Sequence, residues 1–359
     1  MTLQEAHRAV ADRLSRLSFE TIWTGFAPAP FALYDEGTVC LAGREMPRDN
    51  AFWGCTAIEY EGELLAIWHL EEDPVQDLDV LAANLVHEMF HVHQLRREER
   101  RFPNELDALR APEDPAYHQD RYREAWSLRR AWDALRADRP DLARQCLRTL
   151  SEQRLRRQAR EGAAMRYELY AETFEGSAEY CGLRALGMLA PDRYERRIDR
   201  DLDWLTQPEH LLDRRRFAYF FGALSMLLLE ALGIGFDKTV GGETLFWEDA
   251  SRRLRGEDPA DGLEAVCNAL DERARTQAAL LAAAADSSRS SEEGDFRLAG
   301  FDPMNWFAKG ERVYHKVFVK LMDASTKREL FLHGPAVTWH DPKDLFRVRR
   351  YAAAAQEPR

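Results

Sequence analysis

The chain has 359 residues, of which 45% are hydrophobic, so it is able to bury one large core or two smaller ones. Its 50 basic and 62 acidic residues leave a formal net charge of −12. This acidic balance argues against a phosphate-binding surface as the main function, and we expect no nucleic-acid partner.

Cysteine usage and hydropathy predict where the protein resides. The five cysteines are widely spaced and form no CxxC pair, which indicates neither a disulfide framework nor a thiolate zinc site. The N-terminal residues lack the pattern of a secretory signal. The longest uncharged apolar run, residues 217–229, is too short to cross a membrane. We therefore expect a cytoplasmic protein with no membrane partner.

The N-terminal part of the chain predicts a helix followed by a small β-sheet. Residues 1–17 are charged and helix-like. Residues 31–43 and 55–70 show the alternation and the β-branched or aromatic content of strands. Glu61 and Gly62 are suited to a hairpin turn inside the second of these segments.

Helical patterns follow and continue to about residue 285. The first helix is expected from about residue 80 to about residue 101, with Asp77 or Asp79 as its N-cap and Phe102-Pro103 as its end. Further helices are expected at residues 122–137, 141–160, 161–189 and 214–232, with a connection through Pro191 before the last. The arginine-rich face of the helix at 122–137 is expected to be solvated.

Near the C-terminus the residue pattern changes. Residues 282–299 are polar and of low complexity, which predicts a linker or mobile loop. Residues 300–359 alternate apolar and polar side chains and predict about four antiparallel strands. The predicted fold class is α+β: a mostly helical domain over residues 1–281 with a small N-terminal β-sheet, the linker, and a small C-terminal antiparallel β domain.

The stretch LVHEMFHVHQL, residues 85–95, contains the candidate metal-binding residues. His87, Glu88 and His91 form the pattern H-E-x-x-H on the first long helix. A spacing of four places both imidazoles on one helix face, where two ring nitrogens converge on a single ion. Glu88 lies beside that face, within reach of a water on the ion. A zinc ion lowers the pKa of its water to about 7, and a carboxylate then accepts the proton.

The surroundings of the motif support a metal over the alternative of histidines that only form hydrogen bonds in the core. Asn84 and Gln94 extend the same polar face, while apolar residues cover the rest of the helix. Buried polar groups need partners, and a metal ion supplies one. His93 points away from His91 and is expected to be structural or exposed.

A third ligand has to come from elsewhere in the chain. Arg97 stands where the HExxHxxGxxH pattern requires histidine, and Gln94 where it requires glycine, so that subclass is excluded. The alternative is a glutamate on a later helix. The segment YELYAETFEGSAEYCGL carries four glutamates on one helical stripe, and small residues beside the stripe allow another helix to approach closely. The four are Glu168, Glu172, Glu175 and Glu179.

The pair HEMFH at 87–91 and EGSAEY at 175–180 resembles the gluzincin branch of zinc metallopeptidases, the thermolysin-like group. The resemblance implies a zincin-like catalytic domain in which His87, His91 and Glu175 bind Zn²⁺. It leaves Glu172 as the runner-up ligand and implies that Glu179 holds a histidine or an arginine. It also implies that a strand within residues 56–70 pairs with an extended substrate.

A group that stabilises the transition state is not identified by any motif. Tyrosine or histidine is the usual donor to a developing oxyanion. Tyr219, on the apolar helix at 214–232, and His210 are the two residues that we consider for this role, and core packing is the alternative explanation for Tyr219.

The function expected from these residues is a zinc metallopeptidase that acts on peptide or protein substrates, with Glu88 as general base. A second hypothesis is a non-catalytic binding protein that keeps the zincin scaffold. A third is a di-iron carboxylate helical protein, because Glu88 and His91 also form E-x-x-H. That architecture requires two such elements, and no other histidine of this chain has a glutamate three residues before it.

Overall fold

The computed structural model describes residues 1–70, 77–108, 112, 114–254, 263–287 and 290–353. Within these ranges the protein is α+β, as predicted. The chain divides into two compact units, Met1–Pro103 with Asp120–Asp261, and Asn104–Gln119 with Gly262–Arg359. The helices, in chain order, are α1 Leu3–Leu14, α2 Phe19–Ile22, α3 Leu78–Arg96, α4 Glu105–Ala108, α5 Pro115–Arg136, α6 Pro140–Glu161, α7 Ala163–Leu189, α8 Pro191–Leu205, α9 Arg214–Ala231, α10 Phe246–Arg253 and α11 Leu263–Ser287.

The predicted N-terminal sheet is confirmed and has five strands. They are β1 Phe31–Tyr34, β2 Thr38–Leu41, β3 Arg44–Pro47, β4 Thr56–Tyr60 and β5 Glu63–His69, in the spatial order β3-β2-β1-β5-β4. Strands β1 and β5 are parallel, and the other pairs are antiparallel. The segment at 31–43, predicted as β-structure, forms two strands, because the Asp35 side chain accepts hydrogen bonds from the backbone N–H groups of Gly37 and Thr38 and so stabilises a turn between them.

The hairpin predicted at Glu61 and Gly62 joins β4 to β5. Tyr60 pairs with Glu63, so the loop has two residues. Both have positive φ, 51° at Glu61 and 81° at Gly62. This conformation matches the type I′ turn that suits the twist of two adjacent strands. Strand β4 thus pairs with β5, and it lies at the edge of the sheet.

Helix α3 carries the HExxH motif through the centre of the first unit. Asp77 is its N-cap, as one of the two predicted alternatives, and accepts the backbone N–H groups of Asp79 and Val80. The helix ends at Arg96, earlier than predicted, because the chain leaves the helical conformation and Glu98 has φ of 54°. Strands β4 and β5 pack on α3, and α7 packs on it as well. Its central residues are consequently buried on every side.

Helix α7 crosses between α3 and α9 at glycines. A Cβ on Gly182 would lie 3.0 Å from the carbonyl oxygen of Ala83 in α3, and a Cβ on Gly222 would lie 2.8 Å from the carbonyl oxygen of Glu172. Glycine at these crossings lets the backbones come closer than any side chain would allow. The three helices thus form the block that positions the site.

Two expectations about the connections are wrong. The connection through Pro191 is a 15-residue helix, α8, with the proline at its start, where its missing N–H costs nothing. Of residues 282–299, predicted as a linker, those up to Ser287 belong instead to α11 and those from Ser290 onward to a strand, while residues 288 and 289 lie outside the described part of the chain. The alanine run at 282–285 continues the helix, since alanine has the highest helix propensity.

The predicted C-terminal antiparallel sheet is confirmed, with seven strands instead of about four. They are β6 Ser290–Phe301, β7 Trp306–Lys309, β8 Arg312–His315, β9 Phe318–Asp323, β10 Glu329–His333, β11 Ala336–Asp341 and β12 Asp344–Ala353, in the order β10-β9-β6-β12-β11-β8-β7. One face covers an apolar cluster that includes Phe296, Val319 and Val348. Among the described helices, none combines the length and apolar character needed to span a membrane.

Candidate metal centre

Helix α3 brings the two motif histidines together. The Nε2 atoms of His87 and His91 lie 3.1 Å apart, as expected for residues one turn apart on one face. Both residues are 8% exposed. Two ring nitrogens therefore point at one small volume inside the first unit.

The opposite ring nitrogens are both occupied by acceptors. His87 Nδ1 donates to Glu179 Oε2 at 3.1 Å, and His91 Nδ1 donates to Gln94 Oε1 at 2.7 Å. The Gln94 amide nitrogen donates to the carbonyl oxygen of Phe174 at 2.9 Å, so its oxygen must face His91. With each Nδ1 protonated, each neutral imidazole presents an Nε2 lone pair to the shared volume.

Glu175, on α7, supplies the third donor. Its Oε2 lies 3.1 Å from His91 Nε2 and 3.7 Å from His87 Nε2. This buried oxygen accepts no hydrogen bond within the described part of the chain. Three donor atoms thus converge on one point, and their lone pairs repel one another unless a proton on His87 or a metal ion lies among them.

The size of the triangle fits a metal ion. The three donor atoms are separated by 3.1, 3.1 and 3.7 Å. A tetrahedral ion with bonds of about 2.0–2.1 Å to nitrogen and oxygen sets its ligands about 3.3 Å apart. His87, His91 and Glu175 are therefore able to hold a metal ion.

The electrostatics of the site favour positive charge. Burial opposes a charge on His87, but its contacts with Glu175 and Glu179 outweigh this effect and raise its pKa to about 10. Burial also opposes ionisation of Glu175, yet the neighbouring histidines hold its pKa at about 2. Both shifts have the same cause, since an anionic oxygen and an adjacent cation stabilise each other in a site of low dielectric.

Glu88 is a buried carboxyl on the same helix as the two histidines. It follows His87 on α3 and is 7% exposed. Burial raises the pKa of its carboxyl, and the neighbouring His87 and His91 oppose this effect. A carboxyl with a raised pKa is a better base and a better acid near neutral pH than an exposed one.

Tyr219 lies at the site, whereas His210 is engaged by Trp204. The Tyr219 ring centroid is 5.9 Å from that of His87. Desolvation and the nearby carboxylate of Glu175 raise the pKa of the Tyr219 phenol, so it remains a neutral hydrogen-bond donor. The ring of His210 stacks on Trp204 with 4.4 Å between centroids, and its Nδ1 lies 3.0 Å from the Trp204 carbonyl oxygen.

The four glutamates of the α7 stripe have different partners in the structure. Glu172, the runner-up ligand, pairs with Arg154 at 2.6 Å, and Glu168 makes a two-pronged pair with Arg157 at 2.6 and 3.1 Å. Glu179 binds Arg197 at 2.6 Å as well as His87. Among the described residues, only Glu175 joins the two histidines in a group able to hold a metal ion, because Glu179 contacts the opposite nitrogen of His87.

These pairs belong to a buried ionic cluster that the sequence did not indicate. Its members, each at most 2% exposed, are Arg121, Glu124, Arg154, Arg157, Glu168 and Glu172. Four carboxylates on one buried helix face repel one another unless cations lie beside them. Arginines of α5 and α6 neutralise two of these carboxylates, Glu168 and Glu172.

Sequence reasoning missed Arg215 and Arg197. Arg215 Nη2 donates to Glu175 Oε1 at 2.7 Å. Arg197, on the unpredicted helix α8, holds Glu179. The spacing of Arg215 four residues before Tyr219 on one helix was a signal that both face the same way.

Compared with protein-family models, with curated proteins and with solved structures, the chain has no match in any of the three. The assignment of a function therefore rests on the geometry of the site.

Proposed function

We propose that this chain is a zinc-dependent hydrolase, and within that class a metallopeptidase, with His87, His91 and Glu175 as the zinc ligands. The observation that supports it most directly is the triangle of three donor atoms with edges of 3.1, 3.1 and 3.7 Å. Two histidines and one glutamate are a donor set that catalytic zinc uses, with the fourth position left for water or substrate.

Zinc bound by these residues would lower the pKa of a water to about 7 and polarise the substrate carbonyl. Glu88 accepts a proton from the attacking water as the water oxygen bonds to the carbonyl carbon. The same carboxyl then gives that proton to the leaving nitrogen as the carbon–nitrogen bond breaks, so Glu88 returns to its starting state. Tyr219 donates a hydrogen bond to the developing oxyanion.

The position of β4 supports a peptide as the substrate class. This strand, Thr56–Tyr60, lies at the edge of the sheet and packs on α3, the helix that carries His87, Glu88 and His91. An edge strand offers backbone N–H and C=O groups to an extended peptide. Under this proposal the first unit has a zincin-like arrangement of a sheet edge beside a metal-binding helix.

The test is the substitution Glu88→Gln, which keeps the side-chain size and removes the base. Elemental analysis is expected to find zinc bound in both wild type and variant. Cleavage of a peptide library is expected to fall by at least about 10²-fold in the variant, the usual contribution of a general base. Glu98→Gln, at a residue whose side chain is 83% exposed, is the matched control and is expected to cleave like wild type.

Three outcomes would contradict the proposed zinc metallopeptidase activity. Wild type that binds no zinc overturns the proposal, as does full turnover by Glu88→Gln. Wild type that binds zinc but cleaves no peptide supports the non-catalytic scaffold in its place.

A further inference from the structure

We propose that Arg215 is a positioning residue that keeps Glu175 a one-oxygen ligand and orients Tyr219 over the same centre. This inference rests on the proposed function. Arg215 stands in the first turn of α9, and its Nη2 donates to Glu175 Oε1 at 2.7 Å. Its side chain is 16% exposed and that of Glu175 is 6% exposed, so water competes little for this bond.

The bond from Arg215 to Glu175 determines how many atoms of the protein bind the ion. A carboxylate binds a cation through one oxygen or through both. The charge-assisted bond from Arg215 engages Oε1, which leaves Oε2 facing the two histidines. Three protein donors then surround the ion and a fourth tetrahedral position stays open for water, the condition for a catalytic site. Without the arginine, Oε1 is released to become a fourth protein donor.

The same guanidinium contacts the proposed oxyanion donor. Its central carbon lies 5.3 Å from the centroid of the Tyr219 ring, one helical turn further along α9. The ring centroids of Tyr219 and His87 are in turn 5.9 Å apart. A cation over an aromatic face restrains the ring. Arg215 therefore connects a ligand on α7 with a donor on α9, and one side chain sets both positions.

Cobalt(II) substitution measures the coordination number directly, because four-coordinate cobalt absorbs visible light more strongly than five-coordinate cobalt. The variants are Arg215→Met and Arg215→Lys. The first removes the charge and the hydrogen-bond donors, and the second keeps the charge and an N–H donor on a shorter side chain. The control is Arg216→Gln, at a neighbour whose side chain is 47% exposed and pairs with Asp213.

We expect wild type, Arg216→Gln and Arg215→Lys to give the strong four-coordinate spectrum. Arg215→Met is expected to lose most of that intensity as Glu175 binds through both oxygens. Circular dichroism checks that each variant is folded. If Arg215→Met does not fold, the comparison is made with Arg215→Gln, whose shorter amide does not span the same distance and which is expected to lose intensity in the same way.

The outcomes separate this inference from the proposed function. A wild type that takes up neither cobalt nor zinc contradicts the metal centre itself. A wild type with a four-coordinate spectrum that is unchanged in folded Arg215→Met, or in Arg215→Gln where that replaces it, overturns the positioning role and leaves the metal centre standing.

Discussion

At the scale of single residues, the property that matters is which nitrogen of each histidine carries the proton. Glu179 and Gln94 accept from the two Nδ1 atoms, so both Nε2 lone pairs are available to an ion. The two acceptors differ in kind. Glu179 is a carboxylate held by Arg197, whereas Gln94 is a neutral amide held by the backbone of Phe174.

The residue-scale prediction concerns Gln94. Gln94→Leu removes the acceptor of His91 Nδ1–H, so this ring is no longer held in the required orientation. We expect the zinc affinity to fall by roughly 10–100-fold, the usual effect of losing such a partner. Gln94→Glu retains an oxygen acceptor and is expected to stay closer to wild type. Competition titration against a chromophoric chelator measures both, and equal affinity of Gln94→Leu and wild type contradicts the prediction.

At the scale of elements, α7 is the helix on which the site depends. It carries Glu175 and Glu179, packs on α3 and α9, and contributes Glu168 and Glu172 to the buried ionic cluster. That cluster ties α7 to α5 and α6 through charged pairs that have no access to water, where loss of one partner is costly. Glycines at the crossings set the distance between α7 and its neighbours.

The element-scale prediction compares two helical glycines. In Gly222→Ala the new Cβ would lie 2.8 Å from the backbone oxygen of Glu172, so α7 and α9 must move apart. We expect the free energy of unfolding to fall by about 1–3 kcal/mol, as for other overpacked sites.

Gly187→Ala is the matched control, because its Cβ would make an ordinary contact of 3.5 Å with the ring of Tyr194. Alanine is a better helix former than glycine by up to about 1 kcal/mol, so this variant is expected to be neutral or slightly stabilised. Urea denaturation measures both variants. Equal stabilities would show that the crossing of α7 and α9 is not tightly packed.

At the scale of the whole molecule, the two units bury polar groups in different ways. The first unit pairs charges, while the second buries a neutral chain of hydrogen bonds. His340 Nδ1 donates to the carbonyl oxygen of Leu345 at 2.5 Å, so its Nε2 accepts from the hydroxyl of Thr338 at 2.7 Å. The hydroxyl oxygen then accepts from His315 Nε2 at 2.8 Å. Both histidines are 1% exposed.

This series of hydrogen bonds predicts that the second unit becomes less stable as the pH falls. Burial, with a smaller contribution from His340, lowers the pKa of His315 to about 3, below the ordinary histidine value of about 6.5. The unfolded state therefore binds the proton first as the pH falls. Stability is complete above pH about 6.5 and decreases toward pH about 3, by about 1 kcal/mol per pH unit for this group.

Amide hydrogen exchange of β8 and β11 at pH 7 and pH 5.5, corrected for the intrinsic rates, tests this dependence on pH. His315→Asn keeps a donor for Thr338 and removes the titration, so its protection is expected to change less between the two pH values. The same change in wild type and variant would contradict the assignment to His315.

Local features of this protein were determined by its sequence alone. The spacing of His87 and His91, the N-cap at Asp77 and the turn at Glu61 and Gly62 each depend on hydrogen bonds or sterics within a few residues, and the structure has all of them. The long helices and the C-terminal strands follow from periodicity in the same way. Pro191 shows the limit, since a proline is compatible with both a connection and a helix start.

Only the tertiary structure decided which distant groups meet. Four glutamates share one face of α7, and periodicity does not distinguish them. Arginines from α5 and α6 engage Glu168 and Glu172, and the crossing of α7 over α3 brings Glu175 to the histidines. Arg215 on α9 reaches Glu175 on α7, and these two helices pack closely at glycines. Such contacts depend on the packing of whole helices, a property that no short stretch of residues contains.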